Sequence, residues 1–221
     1  KFLPNQLTRY LFRNKVVKNG IFKGMNYINT SHGSAFLPKL IGSYECELHE
    51  DIINLLNKNT YKNIIIIGCA EGYYAVGLSL LSKNSYIHAF DINEEALSLC
   101  SKLSKINNID SYKFKLASYF ESSYMANLAK EKTLIICDCE GYEVDIFSSI
   151  NINYYENCDI ILETHDFLKP NSSLELKKNF ELTHEISSVF SLEVSSKINK
   201  FTFLKKYRYF SGKLLKNLIS E

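Results

Sequence analysis

Acidic side chains and one histidine follow two apolar runs in the second half of the chain. Asp138 and Glu140 come after the first run, and Glu163 and His165 end the second. A carboxylate or an imidazole within hydrogen-bonding reach can remove the proton of a hydroxyl. We therefore expect Asp138 or His165 to act as a general base, with Glu140 and Glu163 holding acceptor hydroxyls or orienting the base.

A second chemistry uses the same side chains. Asp138, Glu163 and His165 offer the oxygen and nitrogen atoms that could bind a divalent ion, which would acidify a hydroxyl. This metal alternative is the less favoured of the two. For His165 alone, a hydrogen-bonded structural histidine is a further alternative. Glu143 is expected to begin the helix that follows, where it favours the helix dipole.

A glycine-containing loop follows an earlier apolar run. Residues 64–67 are four consecutive isoleucines, which predict a strand buried on both faces. Gly68 and Gly72 follow, and Asp91 ends the next predicted strand, nineteen residues after Gly72. This layout lets the backbone approach a bound nucleoside while a carboxylate reaches its ribose hydroxyls. Such a unit serves either a dinucleotide or S-adenosylmethionine.

The side chain at position 71 favours S-adenosylmethionine. A dinucleotide site uses G-x-G-x-x-G, in which small residues let a helix N-terminus meet the pyrophosphate. Here the loop places Glu71 where two phosphates would lie. A carboxylate opposes pyrophosphate but tolerates the zwitterionic methionine moiety beside a sulfonium. We therefore expect S-adenosylmethionine rather than NAD(P).

Alternating strands and helices predict the fold. Strands separated by helices of about ten residues imply a parallel sheet with its carboxyl ends at one edge. The expected class is a doubly wound, Rossmann-like, mostly parallel α/β sheet. The predicted strands are 63–67, 86–91, 112–117, 133–138, 159–163 and a weaker one at 180–188. The predicted helices are 45–57, 72–82, 93–107, 120–130, 142–150 and 172–179.

Charge divides the chain into three parts. Residues 1–44 hold seven basic residues and no acid, and 194–221 hold seven basic residues and one acid. Residues 45–193 carry twelve basic and twenty-three acidic residues. We predict a basic N-terminal extension over 1–44, with a helix at 5–18 and a hairpin at 18–24. The core is expected over 45–193, and 194–221 forms a basic tail with a strand at Phe201–Leu204 and a helix at Lys213–Ile219.

The basic ends allow three interpretations. They can neutralise the acidic middle, or form a rim facing an anionic substrate or a membrane surface. Nucleic acid is the least favoured partner, because the carboxylates at the expected active edge repel phosphates. No run of eighteen apolar residues exists, so we expect no transmembrane helix. The six cysteines form no C-x-x-C pair, which indicates reduced, structural thiols and a cytoplasmic protein.

Three motifs together resemble those of the FkbM-type class I S-adenosylmethionine-dependent methyltransferases. The most specific is D-x-E-G-x-E at 138–143, and the others are the Gly-x-x-x-Gly-Tyr loop at 68–73 and the upstream pair Tyr44-Glu45. The similarity covers about residues 41–166. The resemblance implies the seven-stranded methyltransferase sheet. It also implies O-methylation of hydroxyls on sugars, glycan precursors or secondary metabolites.

The resemblance also implies which residues bind the cofactor. The cofactor loop of the family matches Gly68, Ala70, Gly72 and Tyr73. Its ribose region matches Asp91 and Ile92, and its adenine region matches Ala117 and Ser118. Further positions near the cofactor match Tyr44, Glu45 and Asp138. The acid common in the family two residues before the first loop glycine is Ile66 here. Recognition of the methionine amino group is therefore expected to shift to Glu71 or Glu45.

Two other functions remain open on the sequence. The missing acid and the basic extensions also suit a non-catalytic, cofactor-binding partner subunit. The basic ends would alternatively suit a methyltransferase that clamps RNA. The sequence indicates neither the oligomeric state nor the identity of the acceptor.

Overall fold

Five parallel strands form the centre of the computed structural model, which describes residues 14–128, 131–193 and 196–197. Their order in the sheet is β3-β2-β1-β4-β5. The strands are β1 (Asn63–Ile67), β2 (Tyr86–Phe90), β3 (Phe114–Ala117), β4 (Thr133–Cys137) and β5 (Cys158–Leu162). All four pairings are parallel, so the expected doubly wound α/β sheet is confirmed.

Helices cover both faces of this sheet. The α-helices are α1 (Phe36–Ile41), α2 (His49–Lys58), α3 (Tyr73–Leu81), α4 (Glu94–Ile106), α5 (Glu143–Ile146) and α6 (Ser172–Phe180). Two 3-10 helices lie at Ser122–Asn127 and Ile152–Tyr155. Asn93 begins α4 as its N-cap, accepting hydrogen bonds from the backbone N–H groups of Glu95 and Ala96. None of the helices in these ranges has the length and apolar character needed to cross a bilayer.

The isoleucine run divides its side chains between two hydrophobic clusters. Ile64 and Ile66 belong to the cluster beneath the N-terminal segment, α3 and α4. Ile65 and Ile67 belong to the cluster on the opposite face, beneath α5 and α6. Because side chains alternate along a strand, β1 has no polar face and is buried throughout.

The N-terminal segment packs into the first of these clusters. Val16 and Asn26 form an antiparallel bridge, and the backbone of Val17 is hydrogen-bonded to Met25, as in the predicted hairpin. Phe22 is buried with Val17 and Met25 in the same cluster as β1. Residues 14–44 therefore form one wall of the core. The predicted helix at 5–18 lies mostly outside the described residues, and the domain boundaries at 44 and 193 stay predictions.

Three predicted elements differ from the structure. Residues 120–130 contain the short 3-10 helix, closed by a bond from the Tyr124 N–H to the Glu121 carbonyl. The helix predicted at 142–150 is only α5. Residues 180–188 form no strand: Leu182 is 92% exposed, and a turn bond from the Thr183 N–H to Phe180 ends α6.

The resemblance implies seven strands, whereas the residues described here form five. The predicted strand Phe201–Leu204, the helix Lys213–Ile219 and nearly all of the basic tail lie outside the described residues.

Candidate active site

The loops after β1, β2, β4 and β5 meet at the carboxyl edge of the sheet. Parallel pairing places Ile67, Phe90, Cys137 and Leu162 at equivalent levels across the four strands. Every predicted catalytic residue follows β4 or β5 directly, and the glycine loop follows β1. In open parallel α/β sheets, ligands bind in the crevice at this edge.

The glycine loop lies directly against the end of β4. Gly68 has a φ of +79°, and a Cβ atom built on it would lie 1.6 Å from the carbonyl oxygen of Asp138. Gly72 has a φ of +98°, and its Cβ would lie 2.6 Å from the Cys100 sulfur. Only glycine fits either position, because both the backbone angle and the space exclude a side chain. The loop and the acidic motif are therefore one packed unit.

Asp91 joins this loop to the start of α4. Its Oδ2 accepts a hydrogen bond from the Ala70 N–H at 2.8 Å, and its Oδ1 accepts from the Asn93 N–H at 2.9 Å. The Asp91 N–H donates to the Ala117 carbonyl at 3.2 Å, which brings the end of β3 alongside. The neighbouring side chains Ile92 and Ser118 are exposed. The structure thus brings together the residues predicted for the nucleoside.

Glu71 has a different environment from the one expected of it. Its carboxylate is fully buried and lies 2.5 Å from the Lys39 ammonium. It also accepts hydrogen bonds from the Tyr27 hydroxyl and from the His32 N–H. Burial raises the pKa of this carboxyl, but the Lys39 charge and these hydrogen bonds outweigh burial and lower it. Since the carboxylate is occupied by protein donors, Glu71 anchors the glycine loop to the N-terminal segment and does not face the crevice.

The sequence patterns predicted no role at the site for Lys39 or Tyr27. Lys39 is 2% exposed, and its ammonium lies 4.8 Å from the centroid of the Tyr44 ring. The available signal was a single lysine within the apolar run Phe36–Ile41, because a buried lysine requires an anionic partner. Tyr27 carried no comparable signal, since its role depends on the hairpin bringing it to Glu71.

Tyr73 lies within an aromatic cluster. It is 3% exposed, and its ring makes edge contacts with Phe22, Tyr27, Tyr44 and Tyr74 at centroid distances of 5.0 to 6.2 Å. The cluster fixes the start of α3 against the N-terminal segment. A contact of Tyr73 with the cofactor stays a prediction.

Three carboxylates from different loops converge at the edge. Glu45, Asp138 and Glu163 each place an oxygen within 4.8 Å of the others. The Tyr74 hydroxyl donates a 2.5 Å hydrogen bond to Glu45 Oε2 and orients it toward this group. The structure thereby joins Glu45, predicted near the cofactor, to Asp138 and Glu163, predicted for the chemistry.

These carboxyls have raised pKa values. Burial, followed by repulsion from Asp138 and Glu45, raises the pKa of Glu163 to about 7. Burial also raises the pKa of Asp138, with Glu140 and Glu143 adding to the effect and His165 opposing it. The pKa of Glu45 is raised by burial against the opposing hydrogen bonds of Tyr74 and Tyr44. The edge is therefore a region of concentrated negative potential.

His165 lies behind Asp138, among three carboxylates. Its side chain is 4% exposed, whereas that of Asp138 is 40% exposed. Its Nε2 lies 3.4 Å from Asp138 Oδ1 and 3.8 Å from Glu140 Oε2, and its Nδ1 lies 3.0 Å from Glu143 Oε1. Of the two residues predicted as the base, the more exposed Asp138 is the better placed to reach a substrate in the crevice, and the assignment of the base stays a prediction.

Glu143 begins α5 as expected, but its carboxylate turns inward. The side chain is fully buried and accepts a 2.9 Å hydrogen bond from the Cys139 N–H. Two groups of possible metal ligands occur among the described residues. One is Asp138, Glu143 and His165, and the other is Glu45, Asp138 and Glu163. Neither is the predicted set, because His165 is grouped with Glu143 in place of Glu163.

Three of the five non-glycine residues with positive φ in the described part of the chain lie in the same loops. Glu45, Ala70 and Glu140 have φ angles of +43°, +47° and +57°, which non-glycine residues rarely adopt. Each lies in a loop that contributes to the edge. Strained residues of this kind cluster at ligand sites, where the surrounding structure holds them in place.

Two solved methyltransferase domains share this architecture. A METTL16 methyltransferase domain described as delta-N has a TM-score of 0.52 at 14% identity, covering 82% of this chain and 87% of its own. A second METTL16 methyltransferase domain has a TM-score of 0.50 at 15% identity, covering 83% and 71%. The chain has the Rossmann-like fold of class I methyltransferases. No protein-family model matches the sequence, and no curated protein sequence matches it.

Proposed function

We propose that this chain is an S-adenosylmethionine-dependent methyltransferase that methylates a hydroxyl of a sugar, a glycan precursor or a small metabolite. The observation that carries the proposal is the convergence of Glu45, Asp138 and Glu163 beside the glycine loop, within 4.8 Å of one another. It is supported by the fold, whose solved neighbours are methyltransferase domains. The FkbM-type motifs support the same class.

The donor set at the edge fits a cationic nucleoside. Asp91 offers a carboxylate beside the loop, already oriented by the Ala70 and Asn93 N–H groups. The acids that follow β4 and β5 suit a sulfonium and an ammonium and would oppose a pyrophosphate. Glu71 does not contribute to this preference, because Lys39 neutralises it. S-adenosylmethionine, when bound, supplies an electrophilic methyl group.

The chain's own residues then align and deprotonate the acceptor. Alignment of the acceptor oxygen with the methyl group is the main requirement of an in-line displacement. Asp138 is the proposed base, since its side chain is part-exposed at the crevice and only its Oδ1 is turned inward. Glu140 and Glu163 lie at the same edge and would hold neighbouring hydroxyls. His165 is a positioning residue, which fixes Asp138 from behind.

The acceptor class follows from the charge at the edge. Neutral polyols and sugars can donate hydroxyl hydrogens to several carboxylates at once. A nucleic-acid backbone would place phosphates near the same carboxylates, which disfavours an RNA acceptor. The proposed acceptor is therefore a small uncharged polyhydroxyl compound.

The test is transfer of a labelled methyl group. The protein is incubated with S-adenosylmethionine carrying tritium in its methyl group and with fractions of small metabolites, polysaccharides and RNA from cells. We expect label in the metabolite or polysaccharide fraction, and its loss with Asp138→Asn. A matched control is Asp145→Asn, which changes a carboxylate on α5 whose side chain is 52% exposed and paired with Lys169.

Three results would contradict the proposal in different ways. Label in the RNA fraction, removed by nuclease, would identify an RNA methyltransferase. Cofactor binding without labelling of any fraction would favour the non-catalytic partner subunit. Full transfer by Asp138→Asn would move the base to another residue.

A further inference from the structure

Three polar atoms without hydrogen bonds lie together behind the crevice. Asp138 Oδ1, Glu143 Oε2 and His165 Nδ1 are each buried, and none has a hydrogen-bond partner within the described part of the chain. Buried polar atoms are nearly always paired, so an unpaired atom indicates a missing water or ion. The three atoms belong to residues that contact one another, which makes them candidates for one shared ligand.

These residues lie close enough together for one ion to gather a donor atom from each. His165 faces the two carboxylates through different ring nitrogens: its Nε2 lies 3.4 Å from Asp138 Oδ1, and its Nδ1 lies 3.0 Å from Glu143 Oε1. Neither contact has the alignment of a hydrogen bond, since Asp138 Oδ1 and His165 Nδ1 are left unpaired. Atoms bonded to one metal ion at about 2.0–2.2 Å lie roughly 3–3.5 Å apart. Each of the two contacts has this spacing, but one ring nitrogen binds one ion, so the ion would draw the second carboxylate toward the nitrogen that binds it. One donor atom from each residue lies within 4.8 Å of the other two.

We propose that Asp138, Glu143 and His165 bind a divalent transition-metal ion. Two carboxylates and an imidazole suit manganese, iron, cobalt or zinc, whereas magnesium and calcium prefer ligand sets made of oxygen alone. The ion connects Asp138, which follows β4, to Glu143 at the start of α5 and to His165 in the loop after β5. It also offsets the repulsion between Asp138 and Glu143.

Glu143 is the ligand that the sequence assigned only to the start of a helix. Its side chain is fully buried, and one of its oxygens is held by the Cys139 N–H. A buried, partly unpaired carboxylate is costly without a cation. This cost gives Glu143 a reason to be an acid, which the beginning of a four-residue helix alone does not.

The neighbouring acid Glu163 gives a built-in comparison. It shares Asp138 with the second group of acids but is not grouped with Glu143 or His165. If only the general negative charge attracted a cation, Glu163→Gln would weaken binding as much as Glu143→Gln. If the proposed ligand set is correct, the two variants differ.

The experiment is a titration of chelator-treated, desalted protein with Mn²⁺ alone, following the electron paramagnetic resonance signal of the free ion. Manganese is the probe because the six thiols of the chain would compete for zinc. We expect one Mn²⁺ per chain. Glu143→Gln and His165→Gln should each weaken binding by about tenfold or more, and Glu163→Gln by less than either.

A second measurement covers variants that fail to fold. Asp138 is part-exposed, so Asp138→Asn is expected to fold. Mn²⁺ should raise the midpoint of thermal unfolding of the wild type but not of Asp138→Asn. Absence of stoichiometric Mn²⁺ binding, or equal shifts in the two proteins, would overturn the proposal. A larger effect of Glu163→Gln than of Glu143→Gln would also overturn it.

These results are independent of the proposed methyl transfer, because neither cofactor nor acceptor is present. If the wild-type protein binds S-adenosylmethionine but not Mn²⁺, the metal site alone is rejected. The opposite pair of results would reject the proposed cofactor and keep the metal site.

Discussion

The backbone of Gly68 packs against the carbonyl of Asp138, with no room between them for a side chain. A Cβ on Gly68 would lie 1.6 Å from the Asp138 carbonyl oxygen. The Asp138 N–H also donates a 2.9 Å hydrogen bond to the Ile67 carbonyl. The loop proposed to hold the cofactor and the carboxylate proposed to act on the acceptor are thus fixed relative to each other.

Gly68→Ala should therefore be far more damaging than a glycine substitution where space is available. Gly24 is the matched control, because its φ is +94° and nothing lies within 4 Å of its Cβ position. We expect Gly24→Ala to cost about 1–2 kcal/mol from backbone strain and Gly68→Ala more than about 3 kcal/mol. Urea unfolding measures both. Equal losses would show that the contact with Asp138 is unimportant.

The buried pair of Lys39 and Glu71 should contribute strongly to stability. Lys39→Met leaves the Glu71 carboxylate buried without its cation, which typically costs about 3–5 kcal/mol. Adding Glu71→Gln should recover part of that loss, because no uncompensated charge then remains. The measurement is the free energy of unfolding in urea for the single and double variants.

The control for this pair is the exposed pair of Lys169 and Asp145, at 3.0 Å. Lys169→Met should change stability by less than about 1 kcal/mol. A cost for Lys39→Met no greater than that of Lys169→Met would contradict the role assigned to the buried pair.

Asp91→Asn should weaken binding of S-adenosylhomocysteine by about tenfold or more, since charge-assisted hydrogen bonds contribute about 1.5–3 kcal/mol. Asp110→Asn is the matched control. Asp110 also accepts a hydrogen bond from a backbone N–H two residues ahead, that of Tyr112 at 2.9 Å, but it lies before β3. Calorimetry should give the Asp110 variant wild-type affinity. Unchanged affinity for Asp91→Asn would remove this carboxylate from the nucleoside site.

His88 should make the fold sensitive to acid. Burial, and then the Lys115 charge, lowers the pKa of His88 from 6.5 to about 4. The ring nitrogens contact Asn63 Oδ1 at 3.1 Å and the Tyr124 hydroxyl at 3.0 Å, which suits a neutral imidazole. In the unfolded chain His88 takes up its proton near pH 6.5, whereas in the folded chain it does so only near pH 4. The contribution of His88 to stability therefore falls across that interval as the pH decreases.

His88→Gln removes this titration. Unfolding free energies of the wild type and the variant at pH 7, 6 and 5 test the prediction. The wild type should lose more stability than the variant between pH 7 and pH 5. Parallel losses in the two proteins would show that His88 is not responsible.

The sheet and the meeting of its acidic residues follow from local sequence patterns. Four consecutive isoleucines predict a strand buried on both faces, and parallel crossovers then bring Asp138 and Glu163 to one edge. The glycines of the loop and the spacing to Asp91 predict the proposed nucleoside site in the same way. These features depend on short patterns, so they are readable without coordinates.

The surroundings of Glu71 depend on distant contacts. Its carboxylate is taken by Tyr27 and Lys39, which are 44 and 32 residues away in the chain. No pattern within the loop indicates them. The burial of His165 behind Asp138 likewise depends on how α5 packs, which the motif letters do not specify.

The strand predicted at 180–188 is wrong although its local sequence pattern suits a strand. Its alternation of apolar and polar residues is typical of a strand, but Leu182 and Ile186 are 92% and 42% exposed. Alternation predicts a strand only where a neighbouring edge pairs with it. The turn at Thr183 prevents such pairing at the start of this segment.

Calorimetric titration of the wild-type protein with S-adenosylmethionine, and separately with NADH, tests the central claim most directly. We expect saturable binding of S-adenosylmethionine at one site per chain, and no binding of NADH, because the carboxylates at the edge oppose a pyrophosphate. Saturable binding of NADH without binding of S-adenosylmethionine would contradict the claim. Absence of binding by both would contradict it equally.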